Sequence, residues 1–456
     1  MNRRQLLKSA ASLPLIAWGV GMPQMASAFS TVEYSLGAHV GAAHIANMRT
    51  DQAWSYGQTF LNGQPLRVLR GQETQIRARN ALGEATSLHW HGLRVPPEMD
   101  GSSPIVDGSD AHLIAPGGQR TYAFTPKDPG LFWFHAHNRS WNQVGRGLYG
   151  ALLVENGQEP ELDDHILLLD DWPTRRGKLE FTQLGKAHDW SHAGHIGNVV
   201  TVNAKEQETI PFQRGRPIRL RFLNAATARV FTPQISPAVD VQAYAVALDG
   251  YDVAPRSIRD DWFVLGPGQR TDVILDTQNL RNGAQLDLSG GPLLRFEDVD
   301  SGSHGINLTD ALAGISAYQP EELMPEHPGR IQDLVMAGGA MGDMRMVGAG
   351  QFWAFGAAGQ RAGAPLFSGK VGETVQLNLR NDTRFVHTLH WHGQHAFVIQ
   401  SNRLLEQAPA LRDSLTLAPG ETSVVQFRLA EPGQWLLHCH MLGHQASGMS
   451  TYFEIV

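Results

Sequence analysis

The feature that most constrains the fold is an internal repeat, because one short sequence frame occurs three times along the chain. Each copy begins with glycine and ends with asparagine: GQETQIRARN at 71–80, GRPIRLRFLN at 215–224 and GETVQLNLRN at 372–381. The alternation of polar and apolar residues in the third copy is typical of a strand with one buried face. A second frame that starts with Pro-Gly follows each copy, at 116–121, 267–271 and 419–422. Repeats of this length indicate tandem domains rather than a solenoid.

Length and composition agree with three β-rich domains. The chain has 456 residues, and a prior of about 150 residues per domain gives roughly three of them. Glycine and proline are frequent and only 18% of the residues are charged, a composition that favours all-β folds. We therefore predict an all-β chain of three tandem Greek-key β-sandwiches, at 29–156, 157–312 and 325–456.

Residues 1–28 predict an export signal rather than a folded element. Arg3 and Arg4 form a twin-arginine pair, an apolar stretch follows, and Ala-Ser-Ala at 26–28 is typical of a cleavage site. The twin-arginine route exports folded proteins, so the expected destination is the periplasm or the outside of the cell.

Charge and hydropathy exclude two classes of partner. The formal net charge is −7, whereas a nucleic-acid-binding protein needs a basic face. Beyond the N-terminal signal, no apolar run is long enough to span a bilayer. We therefore expect neither a nucleic acid nor a membrane as partner.

Four His-x-His pairs stand at equivalent positions of the first and third repeats. Residues i and i+2 of a strand face the same side, so each pair can offer two imidazoles to one site or to adjacent sites. Neutral imidazole is the commonest metal ligand. In the middle repeat the corresponding positions hold Pro233 and Ile235, which predicts a middle domain that is only a spacer between two facing domains that share a metal site. The pairs are His89/His91, His135/His137, His390/His392 and His438/His440.

The last of these pairs indicates which metal is bound. Segment 438–449 reads HCHMLGHQASGM and contains the single cysteine of the chain, Cys439. His387 and His444 can supply two imidazoles, and Cys439 supplies a thiolate. With Met449 as a weak axial thioether, these residues make up the ligand set of a blue-copper electron-transfer site. The neighbours of Cys439 project to the opposite face of the strand, so covalent bonds alone would join the blue site to the histidine cluster.

The four motifs at 89–92, 135–137, 387–393 and 438–449 resemble the copper signatures of three-domain multicopper oxidases, which include laccases and bacterial cuprous oxidases. The resemblance spans nearly all of the chain after residue 28. It implies three cupredoxin domains and four copper ions: one type 1, one type 2 and two type 3. It also implies the ligands, namely His387, Cys439, His444 and Met449 for type 1, His89 and His390 for type 2, His91, His135 and His440 for one type 3 ion, and His137, His392 and His438 for the other.

The resemblance implies an enzyme that takes single electrons from a donor and reduces dioxygen to water. Our leading hypothesis is a laccase-like oxidase of phenols or aromatic amines, with electrons arriving at His444 and passing through Cys439 and its neighbours His438 and His440. One alternative is a cuprous oxidase that converts Cu(I) to Cu(II) in copper tolerance. The other is a copper-binding electron-transfer protein without catalysis, which the complete ligand set argues against because a carrier needs only the blue site.

Protons are also needed, and Asp100 is the candidate relay. In similar bacterial enzymes an Asp at this spacing lies beside the copper cluster; the alternative is a turn residue before Gly101. Many relatives place Glu directly after the type 1 histidine, where this chain has Gln445. Gln445 cannot act as a carboxylate, which puts the usual second proton path in doubt.

Two further clusters are weaker signals. Thioethers select Cu(I), but for the methionines of 336–346 a role as gap fillers in a strand and loop is favoured. The histidines of 188–195 favour a solvated loop over a metal site. The residues are Met336, Met341, Met344 and Met346 in the first cluster, and His188, His192 and His195 in the second.

Overall fold

The computed structural model describes residues 31–102, 111–157, 162–235, 241–258, 263–288, 291–299, 306–342, 345, 347–348, 350–356, 364–402 and 410–456. The export signal predicted at 1–28, and Met344 and Met346, lie outside these residues. Strands predominate, as the all-β prediction requires, and no helix in this part of the chain is both long and apolar enough to cross a bilayer. The α-helices are α1 (Gln58–Leu61), α2 (Ser140–Gln143), α3 (Ala187–Ser191), α4 (Leu308–Ala313) and α5 (Leu442–Ala446).

Residues 32–155, here called the first segment, form two four-stranded sheets that share one hydrophobic cluster. The strand orders are β2-β1-β4-β6 and β3-β8-β7-β5. The strands are β1 (Val32–Ile45), β2 (Met48–Ser55), β3 (Leu66–Leu69), β4 (Thr74–Asn80), β5 (His89–His91), β6 (Gln119–Phe124), β7 (Gly130–His135) and β8 (Tyr149–Glu155).

Residues 163–298, the middle segment, form a six-stranded sheet, β12-β9-β14-β18-β16-β17, and a four-stranded sheet, β13-β20-β19-β15. Side chains from both sheets build a second hydrophobic cluster, and β10 and β11 form a separate hairpin. The strands are β9 (Asp163–Trp172), β10 (Thr174–Arg175), β11 (Lys178–Leu179), β12 (Val199–Val202), β13 (Glu208–Phe212), β14 (Ile218–Asn224), β15 (Gln234–Ile235), β16 (Ala243–Leu248), β17 (Tyr251–Ser257), β18 (Arg270–Leu275), β19 (Gln285–Asp287) and β20 (Pro292–Asp298).

Residues 330–455, the third segment, form a six-stranded sheet, β22-β21-β24-β29-β26-β27, and a five-stranded sheet, β23-β31-β30-β25-β28. Their inner faces share a third hydrophobic cluster, which contains Cys439 and Met449. The strands are β21 (Arg330–Gly338), β22 (Trp353–Gly356), β23 (Ser368–Gly369), β24 (Thr374–Asn381), β25 (His387–Trp391), β26 (Ala396–Ser401), β27 (Ala410–Arg412), β28 (Ser414–Leu417), β29 (Thr422–Arg428), β30 (Gly433–Cys439) and β31 (Ser450–Ile455).

The three copies of the sequence repeat occupy the same place in each segment. They form β4, β14 and β24, and each pairs in parallel with the first strand of its segment, β1, β9 or β21. On its other side each pairs antiparallel with the strand that follows the Pro-Gly frame, β6, β18 or β29. The segments are therefore built on one plan. The alternation in β4 and β24 reflects strands with one face in a core, whereas all seven residues of β14 are buried.

The smaller sheets of the first and third segments carry the histidine motifs. In the first segment β5 pairs antiparallel with β7, which sets His89 opposite His135. In the third segment β25 pairs antiparallel with β30, which sets His390 opposite His438 and Leu389 opposite Cys439. Strand pairing therefore brings together motifs that lie about fifty residues apart in the sequence.

Candidate metal centre

The eight histidines of the His-x-His pairs converge between the first and third segments. All are buried except His137, which is half-buried. Their ligand atoms form three groups within which every atom lies within 4.8 Å of the others. The groups are His89, His91 and His390; His91, His135 and His440; and His137, His392 and His438.

Hydrogen bonds at Nδ1 orient several of these rings. The Nδ1 atom of His89 lies 2.9 Å from the carbonyl oxygen of Asp100, and that of His390 lies 2.9 Å from the carbonyl oxygen of Asp413. A proton donated there leaves Nε2 with its lone pair, the arrangement that protein partners impose on metal-binding histidines. The two Nε2 atoms of His89 and His390 are 3.4 Å apart. Two facing lone pairs at that distance suit a shared cation.

The electrostatics of the cluster also favour neutral ligands. Burial, and then the neighbouring histidines, hold the pKa of His91, His390 and His440 well below the usual range, and burial lowers the pKa of His392 to about 4. Nδ1 of His91, Nε2 of His135 and both ring nitrogens of His440 have no hydrogen-bond partner among the described residues. A buried polar atom without a partner costs free energy, and a metal ion would satisfy one nitrogen of each of these three rings, since a neutral imidazole has a single lone pair to offer.

A second group of ligand atoms lies in the core of the third segment. His387, Cys439 and His444 are fully buried, and their ligand atoms lie within 4.8 Å of one another. Both imidazoles direct Nδ1 towards the cysteine: the Nδ1 atoms of His387 and His444 lie 3.6 and 3.8 Å from Cys439 Sγ. The other ring nitrogen of His387, Nε2, lies 2.8 Å from the Thr383 hydroxyl.

The axial candidate, Met449, is connected to this group by a backbone hydrogen bond. It is fully buried in the same hydrophobic cluster as Cys439, and the Cys439 amide donates to the Met449 carbonyl oxygen at 3.0 Å. Burial raises the pKa of the Cys439 thiol to about 12, so a metal ion must displace a proton to bind its sulfur. Two soft sulfur atoms and two imidazoles form a donor set that suits copper.

Asp100 contacts the cluster directly. Its Oδ2 atom accepts from Nδ1 of His392 at 2.8 Å and from the Ser102 hydroxyl, and its Oδ1 atom lies 3.3 Å from Nδ1 of His89. Burial alone would raise the pKa of this carboxyl, but His392 and His89 hold it well below its usual value. Asp100 therefore both contacts two histidines of the cluster and, as the alternative required, directly precedes the turn glycine Gly101, whose φ is +73°.

The middle segment contributes more than a spacer, which corrects the sequence-based interpretation. Gly268, in the Pro-Gly frame, has φ +85°, and a Cβ atom there would lie 2.9 Å from Cε1 of His91. Arg270 donates to Asp413, whose Oδ1 atom lies 3.3 Å from Nε2 of His91. Neither Gly268 nor Arg270 was predicted from the sequence as part of the site, because the middle repeat has no histidines at the motif positions. The Pro-Gly frame at 267–271 was the signal that could have indicated them.

Two observations describe the surroundings of the blue site. His444, where electrons are expected to arrive, is fully buried and its Nε2 atom donates to the carbonyl oxygen of His192 at 2.7 Å. The stretch 188–195, expected to be a solvated loop, includes part of α3 and contacts the blue site through this bond, while its His188 side chain is 76% exposed. Met336 is buried in the core of the third segment, as a gap filler would be, while Met341 is 82% exposed.

Comparisons with known proteins agree with these sites. Two sequence profiles, both described as "Multicopper oxidase", match residues 39–159 and 340–456, which is just over half of the chain. The chain is 26% identical to the multicopper oxidase MmcO of Mycobacterium tuberculosis, covering 88% of this chain and 83% of that protein. It is 23% identical to a copper resistance protein A homolog of Pseudomonas syringae pv. tomato, covering 98% of each.

A solved structure extends the similarity to the fold. The multi-copper oxidase of Pseudomonas thermotolerans superposes with a TM-score of 0.75 at 27% identity, covering 93% of this chain and 99% of that one. Profile, relatives, fold and donor set agree, and the predicted all-β cupredoxin-like fold is confirmed. The chain belongs to the multicopper oxidase family: it is a copper-binding oxidoreductase that uses dioxygen as its electron acceptor.

Proposed function

We propose that this oxidase is laccase-like, takes electrons one at a time from phenolic or aromatic donors, and reduces dioxygen to water in a four-electron reaction. The observation that carries the proposal is the position of Cys439 between two histidines of the cluster. Its sulfur belongs to one ligand group, with His387 and His444, while the adjacent His438 and His440 belong to two others. One tripeptide thus connects a one-electron site to a multi-histidine site, an arrangement that an electron carrier with a single blue site does not need.

Four copper ions per chain fit the donor atoms. Bound copper supplies a one-electron redox couple at the sulfur-containing site and the binding of dioxygen at the histidine cluster. We assign His387, Cys439, His444 and Met449 to the type 1 ion and His89 and His390 to type 2. His91, His135 and His440 are assigned to one type 3 ion, and His137, His392 and His438 to the other. The groups of mutually close ligand atoms support this division.

The remaining proposals concern organisation and location. Residues 29–156, 157–312 and 325–456 would each be one cupredoxin domain, an interpretation supported by the equivalent pairings of β4, β14 and β24. Residues 1–28 would direct export by the twin-arginine route to the periplasm.

Asp100 is proposed to serve the reaction at the cluster. Its carboxylate holds the Nδ1 proton of His392 and so orients that ring. The Ser102 hydroxyl donates to the same carboxylate. We propose that a proton moves between Asp100 and the cluster during turnover, while Gln445 takes no part in proton transfer because its amide does not ionise in water.

Oxidation of Cu(I) is the second candidate activity, and one observation favours it. His444 is fully buried, and its Nε2 atom donates to the carbonyl oxygen of His192. Any donor must therefore pass its electron through this cover rather than by contact with the ring, and a metal ion needs only a few exposed ligands near the cover to do so. A relative that is aligned over 98% of both chains is a copper resistance protein A homolog.

Oxygen uptake by the copper-loaded protein, with 2,6-dimethoxyphenol or Cu(I) as the only donor, tests both candidates. Faster turnover with the phenol supports the laccase-like activity, and faster turnover with Cu(I) supports the second candidate. Copper content is measured on the same sample. A protein that contains about four coppers but consumes no oxygen with either donor would contradict the oxidase proposal, and a content near one copper per chain would favour an electron-transfer protein.

A further inference from the structure

One large buried side chain forms a wall beside the two imidazoles of the blue site. It is the indole of Trp353, the first residue of β22, which is fully buried. The ring centroids of Trp353 and His444 are 4.3 Å apart, with an angle of 36° between the planes. The centroid of the His387 ring lies 4.9 Å from the indole, at an angle of 79°. A single aromatic side chain therefore packs against both proposed imidazole ligands of the type 1 ion.

Hydrogen bonds from the side chain and from the backbone hold this indole in place. Its Nε1 atom donates to the carbonyl oxygen of Trp190 in α3. The amide of Trp353 donates to the carbonyl oxygen of Ser447 at 3.1 Å. Ser447 lies between His444 and Met449 in the sequence, so β22 is attached to the segment that supplies two of the proposed ligands. The position of the ring relative to the donor atoms is therefore fixed from two directions.

The glycine-rich stretch that follows β21 leaves room for the ring. Gly339 has φ +81°, and a Cβ atom at this position would overlap the Cη2 and Cζ3 atoms of Trp353. The Gly339 amide donates to the carbonyl oxygen of Phe352 at 2.8 Å, which keeps the two backbones close together. The position of the indole therefore requires that residue 339 has no side chain.

A dry wall affects the two oxidation states of the blue site unequally. One thiolate and two neutral imidazoles leave the oxidised site with a net positive charge and the reduced site with none. Exclusion of water disfavours the state with the larger charge, and the apolar shell around a metal site controls its dielectric and hence its redox potential. A wall that keeps both imidazoles dry therefore favours the reduced state, which means a higher reduction potential.

We propose that Trp353 is a positioning residue that keeps water away from His387 and His444 and thereby raises the reduction potential of the blue site. The inference rests on the proposed assignment of these two histidines and Cys439 to the type 1 ion. A higher potential makes the site a stronger oxidant of its donor and leaves a smaller driving force for electron transfer to the histidine cluster. Trp353 thus sets the range of donors that the enzyme oxidises, although it contacts none of them.

The test is a redox titration of the blue absorption band of the copper-loaded protein against a mediator of known potential. At the midpoint potential of the parent, the ratio of oxidised to reduced blue site should rise at least threefold in Trp353→Ala, because water then reaches the imidazoles. Trp353→Phe keeps an apolar ring but loses the N–H group that donates to Trp190, and its ratio should stay within twofold of the parent. Copper content and the thermal unfolding midpoint report whether each variant is loaded and folded.

A matched pair of glycine substitutions displaces the ring without replacing it. Gly339→Ala should force the indole to move and raise the same ratio at least threefold. Gly350→Ala, with φ +80° and nothing within 4 Å of the added Cβ atom, should stay within twofold of the parent.

A ratio within twofold of the parent in Trp353→Ala or in Gly339→Ala would overturn the proposal. A change in Trp353→Phe as large as that in Trp353→Ala would also overturn it, because the hydrogen bond to Trp190 rather than the dry wall would then set the potential. Failure of the ligand assignment itself gives a different result, namely a copper-loaded parent protein without a blue band to titrate.

Discussion

Arg270 of the middle segment donates to both carboxylate oxygens of Asp413 in the third, at 2.9 and 2.5 Å, and neither side chain is exposed to solvent. The other guanidinium hydrogen bonds go to the carbonyl oxygens of Leu131, Gly268 and Asp249. The Arg270 side chain thus donates hydrogen bonds to backbone or carboxylate groups of all three segments. Asp413 also lies beside His91, so the ion pair that stabilises the fold also helps to hold His91 in its place in the histidine cluster.

Arg270→Met should destabilise the protein strongly, because it leaves the Asp413 carboxylate buried without its cation. Loss of one partner of a buried ion pair costs about 3–5 kcal/mol. The measurement is denaturant unfolding of the copper-free protein. Arg67→Met is the control, since its ion pair with Glu155 is exposed and should contribute no more than about 1 kcal/mol. Equal effects of the two substitutions would contradict a structural role for the buried pair.

Gly268→Ala should lower the copper content of the histidine cluster. An added Cβ atom would lie 2.9 Å from His91 and 3.1 Å from His440, so one ring must move. Gly420 is the repeat-equivalent control: its φ is +75° and a Cβ atom there meets nothing within 4 Å. Both substitutions carry the backbone cost of a left-handed residue, roughly 1–2 kcal/mol, but only the first should reduce copper per chain and oxygen uptake. Full copper loading of Gly268→Ala would exclude the steric argument.

The sequence predicted those parts of the structure that leave a periodic or repeated signal. Strand β24 alternates polar and apolar residues, and its two repeats, β4 and β14, could be placed with it. The histidine pairs followed from the same repeat. Met336 could also have been assigned to the core, because it lies two residues after Leu334 on the inward face of β21.

What the sequence did not predict depends on contacts between distant segments. Arg270 and Asp413 are separated by 143 residues, and nothing near either residue indicates the other. The cover over His444 is made by a carbonyl oxygen of His192, a backbone atom that every residue type possesses. A histidine-rich stretch in a segment without copper motifs therefore gave no sign of its position at the blue site.

Asp170 gives a pH-dependent prediction away from the metal centre. Burial, and then the neighbouring Asp171, raise the pKa of Asp170 well above its usual value, and its Oδ2 atom accepts from the Tyr149 hydroxyl. Because the folded-state pKa exceeds the unfolded one, the stabilisation from this carboxyl is complete below about pH 3.9 and declines as the pH rises.

Asp170→Asn removes this decline, since an amide stays neutral and can still accept from Tyr149 or from the Asp171 amide. The free energy of unfolding of the variant minus that of the parent should therefore grow with pH. The expected slope is about 1.4 kcal/mol per pH unit between pH 4 and the folded-state pKa. Denaturant unfolding at several pH values measures it, and a difference that does not change with pH would show that Asp170 is ionised in the folded protein.

Cys439→Ser should remove the blue site and spare the histidine cluster. A serine hydroxyl does not replace a thiolate as copper ligand, so the blue absorption band should vanish and the copper content should fall by about one ion per chain. The eight histidines should remain in place because the ligand group that contains Cys439 Sγ includes His387 and His444 but none of the eight. Oxygen uptake should cease although most of the copper is retained, and sustained uptake would contradict electron transfer through Cys439.

Asp100→Asn should lower turnover without loss of copper. The amide oxygen can still accept from Nδ1 of His392, so the ring stays oriented, but the negative charge beside His392 and His89 is lost. Substitutions of groups that contact metal ligands commonly cost 10–100-fold in affinity or activity, and we expect a loss of that order in kcat. Glu98→Gln, at an exposed position two residues earlier, should leave kcat unchanged.

Two measurements separate the roles of Asp100. A larger solvent isotope effect with an unchanged electron paramagnetic resonance spectrum would indicate proton transfer, whereas an altered spectrum would indicate that the carboxylate mainly positions the two histidines. Unchanged kcat would remove Asp100 from the reaction.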